Sequence, residues 1–514
     1  MKSSSNGIRT VLVRIAGEAD ASLERFFWRW SLLFMVLFLA CSIARDIRAK
    51  MYVDELFTLD MAKQANPSEI VKATIEGCDG MPPLYAIIVH SILPIVRNEA
   101  LAVKLPATLG YCGMILCLLA FCRRRLPATY SFIAALFACD SCLYYSTEGR
   151  PYGVVLGCAA GALFSWQSAI DGRHRVAAKT MLGLCLALMT AMHYFAIFFL
   201  VPLFLAEVVR LRSLRRLDFT FLAASAPALL ILGLHYPLIA AYRQFLAHYW
   251  AVPYFGMIEL FFINFLLYPL RYIAPIALLV LSIFPKPILD QPERDGRFRR
   301  HEWVLICALG LMPPFLIVLT EHTTHAFVDR YVLWAVLGFA LLIGVAICKA
   351  ARGQVVVGLA LVGILVAQIA REEIGVFLRV PTLRESEDVR QQLESLPDGP
   401  EPIVIADSHV FLELCYYAEP RFRQRFIYPV SRDLALHYIG YDTEPLLLVP
   451  LSHRANIHVE AYDALVAEYP RFLVAGPPRD YLPWYLASIG YRVVPVHPEA
   501  MRPLVFEAIA SQKD

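Results

Sequence analysis

Residues 51–60 read MYVDELFTLD, and the adjacent carboxylates Asp54 and Glu55 come just after the apolar run WSLLFMVLFLACSIA. A positioned aspartate can act as general base toward a hydroxyl without a metal. Other groups able to do chemistry recur at similar boundaries. They are Asp79 in EGCDGMPPLY, Lys104 in KLP, Glu148, Arg150 and Tyr152 in YYSTEGRPYG, and His193 in MHYF. The stretch TEHTTHAFVDRY adds Glu321, His322, His325, Asp329, Arg330 and Tyr331. Arginine presents a two-pronged donor that fits phosphate. A boundary carboxylate together with such cations suggests a reaction on a lipid-linked phosphate, the phosphate leaving against positive charge.

Each group also has a plainer reading. Asp54 and Glu55 could cap the helix that follows or sit in solvent. Glu148 and Arg150 could be an interfacial ion pair, Lys104 could snorkel to headgroups, and His193 could be a packed polar residue. His322 and His325 are spaced H-x-x-H beside two carboxylates, but the HExxH signature is absent and the spacing is loose, so no metal site is assigned. A divalent ion at Asp54 and Glu55 is not demanded by any ligand spacing, and no cofactor is expected.

The elements that must position these groups follow from composition. Hydrophobic residues make up 58% of the 514 and charged residues 18%, with a mean hydropathy of +0.55. Soluble domains lie nearer about 45–50% apolar and about 25% charged. The apolar excess falls in blocks long enough to cross a hydrocarbon core about 30 Å thick, where only internally bonded helices survive. The blocks are roughly 27–45, 100–122, 128–146, 151–170, 178–192, 194–209, 217–238, 258–284, 302–320, 327–349 and 354–370, about eleven spans. A net charge of +3 gives no reason to expect nucleic acid. Ten of the 12 cysteines lie in or beside the blocks and read as small apolar residues. No cleavable signal peptide is expected, and the first block reads as a retained anchor.

Basic loops set the orientation. Arg123 to Arg125, then Arg173, Arg175 and Lys179, then Arg210, Arg212, Arg215 and Arg216 belong inside by the positive-inside rule. Lys286, Arg294, Arg297, Arg299 and Arg300, and finally Lys349 and Arg352, follow the same rule. The assignment closes only if PPLYAIIVHSILPIV, at 82–96, does not cross. All the reactive groups named above then face outward. After about residue 380 the pattern changes to short apolar runs: PIVIAD (402–407), LLLVPL (446–451), RFLVAG (471–476) and YRVVPV (491–496). These read as strands. The stretches HVFLELCYYA and YLPWYLASIG read as helices between them, so a small α/β domain is expected. GPPRDY has prolines where a phosphate cradle needs N–H groups, and the domain is assigned no chemistry. The expected organisation is a cytoplasmic segment 1–26, a transmembrane domain 27–375 with a first external loop 46–99, and an extracytoplasmic domain 380–514.

The order DE, DGMPPLY, KLP, YYSTEGRPYG, HYF and DRYVL resembles the GT-C superfamily of integral-membrane glycosyltransferases. Within it the chain is similar to the bacterial branch related to protein O-mannosyltransferases and to the aminoarabinose transferase of lipid A. The resemblance covers roughly residues 27–350 and rests on the ordered set rather than on any one motif. It implies a mainly α, polytopic GT-C fold with a small α/β domain outside the membrane. It implies a polyprenyl-phosphate sugar donor, a lipid, glycan or protein acceptor, and Asp54 with Glu55 as the catalytic carboxylates. Asp79, Lys104, Glu148, Arg150, Tyr152, His193, Arg330 and Tyr331 are the substrate-binding positions it implies. The family's HPPLYY is GMPPLY in this chain, so its histidine is absent. Its RLP is KLP, and Gly149 stands where the family has alanine. The implied location is a bacterial inner membrane with the active face periplasmic or extracellular. A transporter, a surface-polysaccharide polymerase or ligase, and a degenerate relative acting as scaffold are the competing classes. A transporter predicts inverted repeats and charges at mid-membrane, and the sequence has neither.

Overall fold

The computed structural model describes residues 2–215, 219–283, 298–352, 354–379 and 384–511. Arg216, Lys286, Arg294 and Arg297, used above to orient the chain, lie outside the described residues. The chain divides into two compact units. One comprises 1–47, 104–236 and 252–378; the other comprises 48–103, 237–251 and 379–514.

The first unit is a helical bundle. Its opening span, Phe27–Asp46, runs without Pro or Gly and stops at two charges. Leu32, Leu33, Val36 and Leu37 are exposed on it, an apolar surface that a bilayer covers. Among the described residues of the whole chain, nine helices are long and apolar enough to cross a membrane, or ten if the broken pair Phe221–Leu234 and Tyr236–His248 forms one span. The chain is a multi-pass membrane protein. Among the described residues the helices match the apolar blocks except at 217–238, where the helix breaks after Leu234, and at 128–146. There a helix of 14 residues, Ala128–Ser141, ends at Cys142, whose backbone leaves the helical region (φ −132°, ψ 29°). A 3-10 turn, Leu143–Ser146, follows.

Helices Glu99–Cys122 and Tyr152–Ile170 cross at backbone contact. A Cβ at Gly153 would lie 2.3 Å from the Ala107 carbonyl oxygen, and one at Gly157 would lie 2.2 Å from that of Gly110. Small residues four apart allow this approach in a membrane. The crossing fixes the start of Tyr152–Ile170, and so the loop before it, against the helix that carries Lys104.

Charged groups tie both ends of the bundle. At one end Arg125 donates to Glu302 at 3.0 Å and to Asp171 at 3.1 Å, and Arg299 Nη1 lies 2.9 Å from Asp171. At the other, Arg45 Nη1 donates to Glu373 Oε1 at 2.6 Å, joining the first span to the helix Val355–Arg379. Both partners are about 5% exposed.

In the second unit, residues 48–103 supply helices Val53–Ala62, Pro67–Ile75 and Leu84–Ile92. The last is nine residues, roughly 14 Å at 1.5 Å per residue. That is about half a hydrocarbon core, in keeping with a segment 82–96 that does not cross. Residues 384–511 build a six-stranded sheet. Its strands are β1 (Ile403–Val404), β2 (Phe426–Val430), β3 (Val459–Ala461), β4 (Arg471–Ala475), β5 (Tyr491–Pro495) and β6 (Val505–Ala510). Their order is β3-β2-β1-β4-β6-β5. The first four are parallel, and β6 runs antiparallel to both β4 and β5. Val404, Ile427, Phe472, Val474, Leu482, Leu486 and Ala508 form its core.

One expected strand is a helix. LLLVPL lies within Thr443–Ser452, where Pro445, Leu448 and Leu451 are buried at a spacing of three. A short apolar run does not distinguish the two periods. Strands β2, β3 and β6 were not expected: β2 contains Pro429 and β3 has three residues.

Residues 48–103 are bonded to the C-terminal residues within this unit. Arg454 grips Glu76 with two bonds, of 2.6 and 2.7 Å, and reaches Glu69 at 3.2 Å. Lys50 pairs with Glu387 at 2.8 Å, and the Met51 N–H donates to the Tyr417 hydroxyl at 2.6 Å.

Candidate active site

The bundle gathers six of the expected substrate-binding residues at one end. The segment Thr147–Pro151 links the 3-10 turn to Tyr152–Ile170, with the Arg150 N–H donating to the Glu148 carbonyl at 2.7 Å. The Thr108 hydroxyl anchors this segment by donating to the Ser146 carbonyl at 2.8 Å, with Asp46 Oδ2 3.2 Å away. His193 caps the 3-10 turn Tyr194–Phe199, its Nδ1 accepting from the Phe195 N–H at 3.2 Å. That bond assigns the ring proton to Nε2. Asp329–Ala335 brings Arg330 and Tyr331, with the Arg330 N–H donating to Asp329 Oδ1 at 2.7 Å.

These segments converge on Tyr152. Its ring lies 5.6 Å from His193 and 5.7 Å from Tyr145, and the His193 ring lies 4.8 Å from Tyr331. The Arg330 guanidinium stands 5.6 Å over the Tyr152 ring, a cation–π placement. Its Nη1 is 3.6 Å from Glu148 Oε1. Arg150 and Arg330 both act electrostatically on His193 and on Tyr152. Two guanidiniums from distant loops thus come within electrostatic range of Tyr152 and His193, in a cluster of one carboxylate and four aromatic rings. The Tyr152 hydroxyl is buried with no hydrogen bond among the described residues. Lys104 is buried one helical turn before Thr108. Such a cluster can hold an anionic oxygen group and spread its charge over two planar forks.

Asp54, Glu55 and Asp79 belong to the second unit. Glu55 is fully buried, and its carboxylate accepts from the Tyr52 N–H at 3.2 Å. It closes the first turn of Val53–Ala62, the capping use left open above. Asp54 precedes it in that turn and is half-buried, where the helix dipole favours a carboxylate. The Tyr52 hydroxyl is 3.5 Å from its Oδ2. Asp79 Oδ1 accepts from the Met81 N–H at 3.2 Å, shaping the turn before PPLY. A Cβ on Gly80 would lie 2.5 Å from the Tyr242 ring, so glycine is what this turn admits where the family pattern differs.

Among the described residues no three of His, Cys, Asp and Glu gather in a metal-holding arrangement. His322 ends the helix Arg300–Glu321, and His325 has a left-handed backbone at φ 52°.

Two groupings were not anticipated. Arg45 and Asp46 stand at the end of the first apolar block in the run SIARD, a visible signal, and Arg45 Nη2 also reaches the Ser146 hydroxyl at 3.3 Å. His409 and Glu444 lie 3.0 Å apart on segments whose proximity no local pattern announces.

No family model and no curated protein matches the sequence. Solved structures do. The chain is similar to ArnT from Cupriavidus metallidurans in the apo state, with 12% identity and a TM-score of 0.55 over 94% of this chain and 99% of that one. It is also similar to ArnT from the same organism bound to undecaprenyl phosphate, with 12% identity and a TM-score of 0.52 over 94% and 98%. The fold is the GT-C fold. The likeness runs through both units and so takes in the GT-C bundle and the α/β sheet alike.

Proposed function

We propose that the protein is a glycosyltransferase that takes a sugar from a polyprenyl-phosphate donor and passes it to a cell-envelope acceptor. The observation that carries this reading is the Arg330 guanidinium standing over Tyr152 beside Glu148, with Arg150 in electrostatic range of Tyr152 and His193. It lies on a fold whose neighbour was solved with undecaprenyl phosphate bound. The donor's phosphate is assigned to Arg150 and Arg330, with Lys104 adding charge. Asp54 is assigned as the base. It takes the proton of the acceptor hydroxyl or amine as the acceptor's lone pair bonds to the anomeric carbon. The bond from that carbon to the phosphate oxygen breaks, and polyprenyl phosphate departs with the electron pair, stabilised by the guanidiniums. One base and one displacement invert the anomeric centre. Glu55 holds the helix that presents Asp54. The active face is assigned to the periplasmic or extracellular side of a bacterial inner membrane.

The test is transfer of radiolabel from polyprenyl-phosphate sugars in membranes, wild type against Asp54→Asn. Loss of a general base lowers the rate by about 10²–10⁴, and undiminished transfer by the variant removes Asp54 from this role. If the wild type consumes no donor with any sugar, the chain is a scaffold; if it moves intact donor across the bilayer, it is a transporter.

A further inference from the structure

The parallel strands β3-β2-β1-β4 reverse direction of travel between β1 and β4. After β1 the chain steps outward to β2 and β3, then returns to the far side of β1 as β4. In open α/β sheets this switch point leaves a crevice at the carboxyl ends of the two strands, where ligands bind. Two segments leave it here: Ile405 to His409 after β1, and Gly476 to Tyr481 after β4.

The side chains at this edge converge. Asp407 Oδ1 caps the helix Ser408–Tyr417 by accepting from the Val410 N–H at 3.0 Å. Its other oxygen lies 4.0 Å from Arg479 Nη2, bridging the two segments. His409 Nε2 is 3.0 Å from Glu444 Oε1, and the Ser408 hydroxyl donates to the other oxygen of Glu444. The buried Tyr428, on β2, lies within electrostatic range of Tyr481, Glu444, Asp407 and Asp480. Tyr481 stacks on Tyr438 with centroids 4.8 Å apart and planes 6° from parallel. Asp480 is 7% exposed, and its Oδ2 has no hydrogen bond among the described residues. That oxygen sits over Gly476, 2.1 Å from where a Cβ would be, at the mouth of β4. The helix Ser408–Tyr417, which begins at this crevice, packs against the helix of Asp54 inside this unit.

The chemistry of this set selects its ligand. Asp407, Glu444, Asp480 and Glu385, which accepts from Arg479 at 2.9 Å, outnumber one guanidinium and one imidazole, and Pro477 and Pro478 withhold N–H groups. A phosphate-rich ligand is therefore disfavoured. Carboxylates that accept from hydroxyls, an exposed arginine that donates and a flat aromatic platform suit a polyol. We infer that the switch point of the C-terminal sheet binds the saccharide part of the acceptor, with His409, Glu444, Arg479, Asp480 and Tyr481 as its contacts. The identification of this saccharide as the acceptor rests on the transferase reading above; its binding at the crevice does not.

The test uses the full chain in nanodiscs and saturation-transfer NMR. The probes are a neutral hexose trisaccharide, chitotriose, its de-N-acetylated form and a phosphorylated disaccharide. At least one unphosphorylated probe binds, more tightly than the phosphorylated one. Glu444→Gln and Tyr481→Ala weaken it at least tenfold. Arg479→Ala, at a side chain 67% exposed, weakens it without touching the core, which covers a folding failure of the other two. Binding of undecaprenyl phosphate by all three variants stays within twofold of wild type. No saccharide binding, indifference to all three substitutions, or preference for the phosphorylated probe overturns the inference. If the wild type fails to bind undecaprenyl phosphate, the donor reading falls while the saccharide result still decides the crevice.

Discussion

Replacing Arg150 by lysine keeps the charge and removes the planar fork, so it separates bidentate recognition from mere attraction. A charge-assisted hydrogen bond contributes about 1.5–3 kcal/mol, and Arg150→Lys is expected to weaken undecaprenyl-phosphate binding by about tenfold or more. Titration of the purified variant with that lipid measures it. At His409 burial disfavours the charged ring, but the hydrogen bond to Glu444 and the charges of Glu444, Asp407 and Asp54 prevail and raise its pKa to about 9. Glu413 is a further carboxylate that His409 acts on. A raised histidine stabilises the fold fully below its ordinary value of 6.5 and loses that contribution as pH climbs through about 9. The wild-type melting midpoint should therefore fall more between pH 6.5 and 9.5 than that of His409→Gln. Asp480 behaves differently. Burial, partly opposed by the Leu482 N–H and aided by Asp407, pushes its pKa up to about 7. Its neutral form suits the fold, so its contribution is present below 3.8 and is lost as pH rises through 7. Asp480→Asn should melt progressively higher than wild type as pH goes from 4 to 8; a constant difference contradicts this account.

At the scale of elements, the crossing of Glu99–Cys122 with Tyr152–Ile170 makes a sharp prediction. A leucine at Gly157 would have to displace the Gly110 carbonyl, which is backbone and cannot rotate away. Overpacking typically costs about 1–3 kcal/mol, and the Gly157→Leu melting midpoint should drop, with donor binding lost because Arg150 moves with its helix. Gly113 on the partner helix has nothing within 4 Å of its Cβ position, so Gly113→Leu serves as the control and should melt like wild type. The pair Arg45–Glu373 joins the first span to Val355–Arg379 through two buried charges. Removing one partner of such a pair costs up to about 3–5 kcal/mol, and the Arg45 left behind keeps, among the described residues, only the charge of Asp46, whose Oδ1 is 3.5 Å from its Nε. Glu373→Gln should therefore destabilise the bundle strongly, and thermal unfolding in detergent would read it.

Across the whole molecule, the sequence alone determined the membrane character, the approximate helical blocks and the presence of a C-terminal α/β region. Hydrophobic length and the switch from long blocks to short runs are local properties, and the bilayer thickness turns them into structure. The ordered motifs also carried the GT-C fold. Where local pattern was ambiguous it misled: LLLVPL reads equally well as strand or helix, and β2 hides behind Pro429. The bundle cluster was legible as a set of residues, since Glu148, Arg150, Tyr152, His193, Arg330 and Tyr331 all stood out by type. Only tertiary structure decided that they meet around one ring, because a loop's partners are set by the packing of helices far apart in the chain. Tertiary structure also separated two adjacent carboxylates, burying Glu55 as a helix cap and leaving Asp54 half-exposed. And it alone decided the strand order that opens a crevice beside β1 and β4, because strand neighbours depend on long-range pairing that no short window of sequence contains.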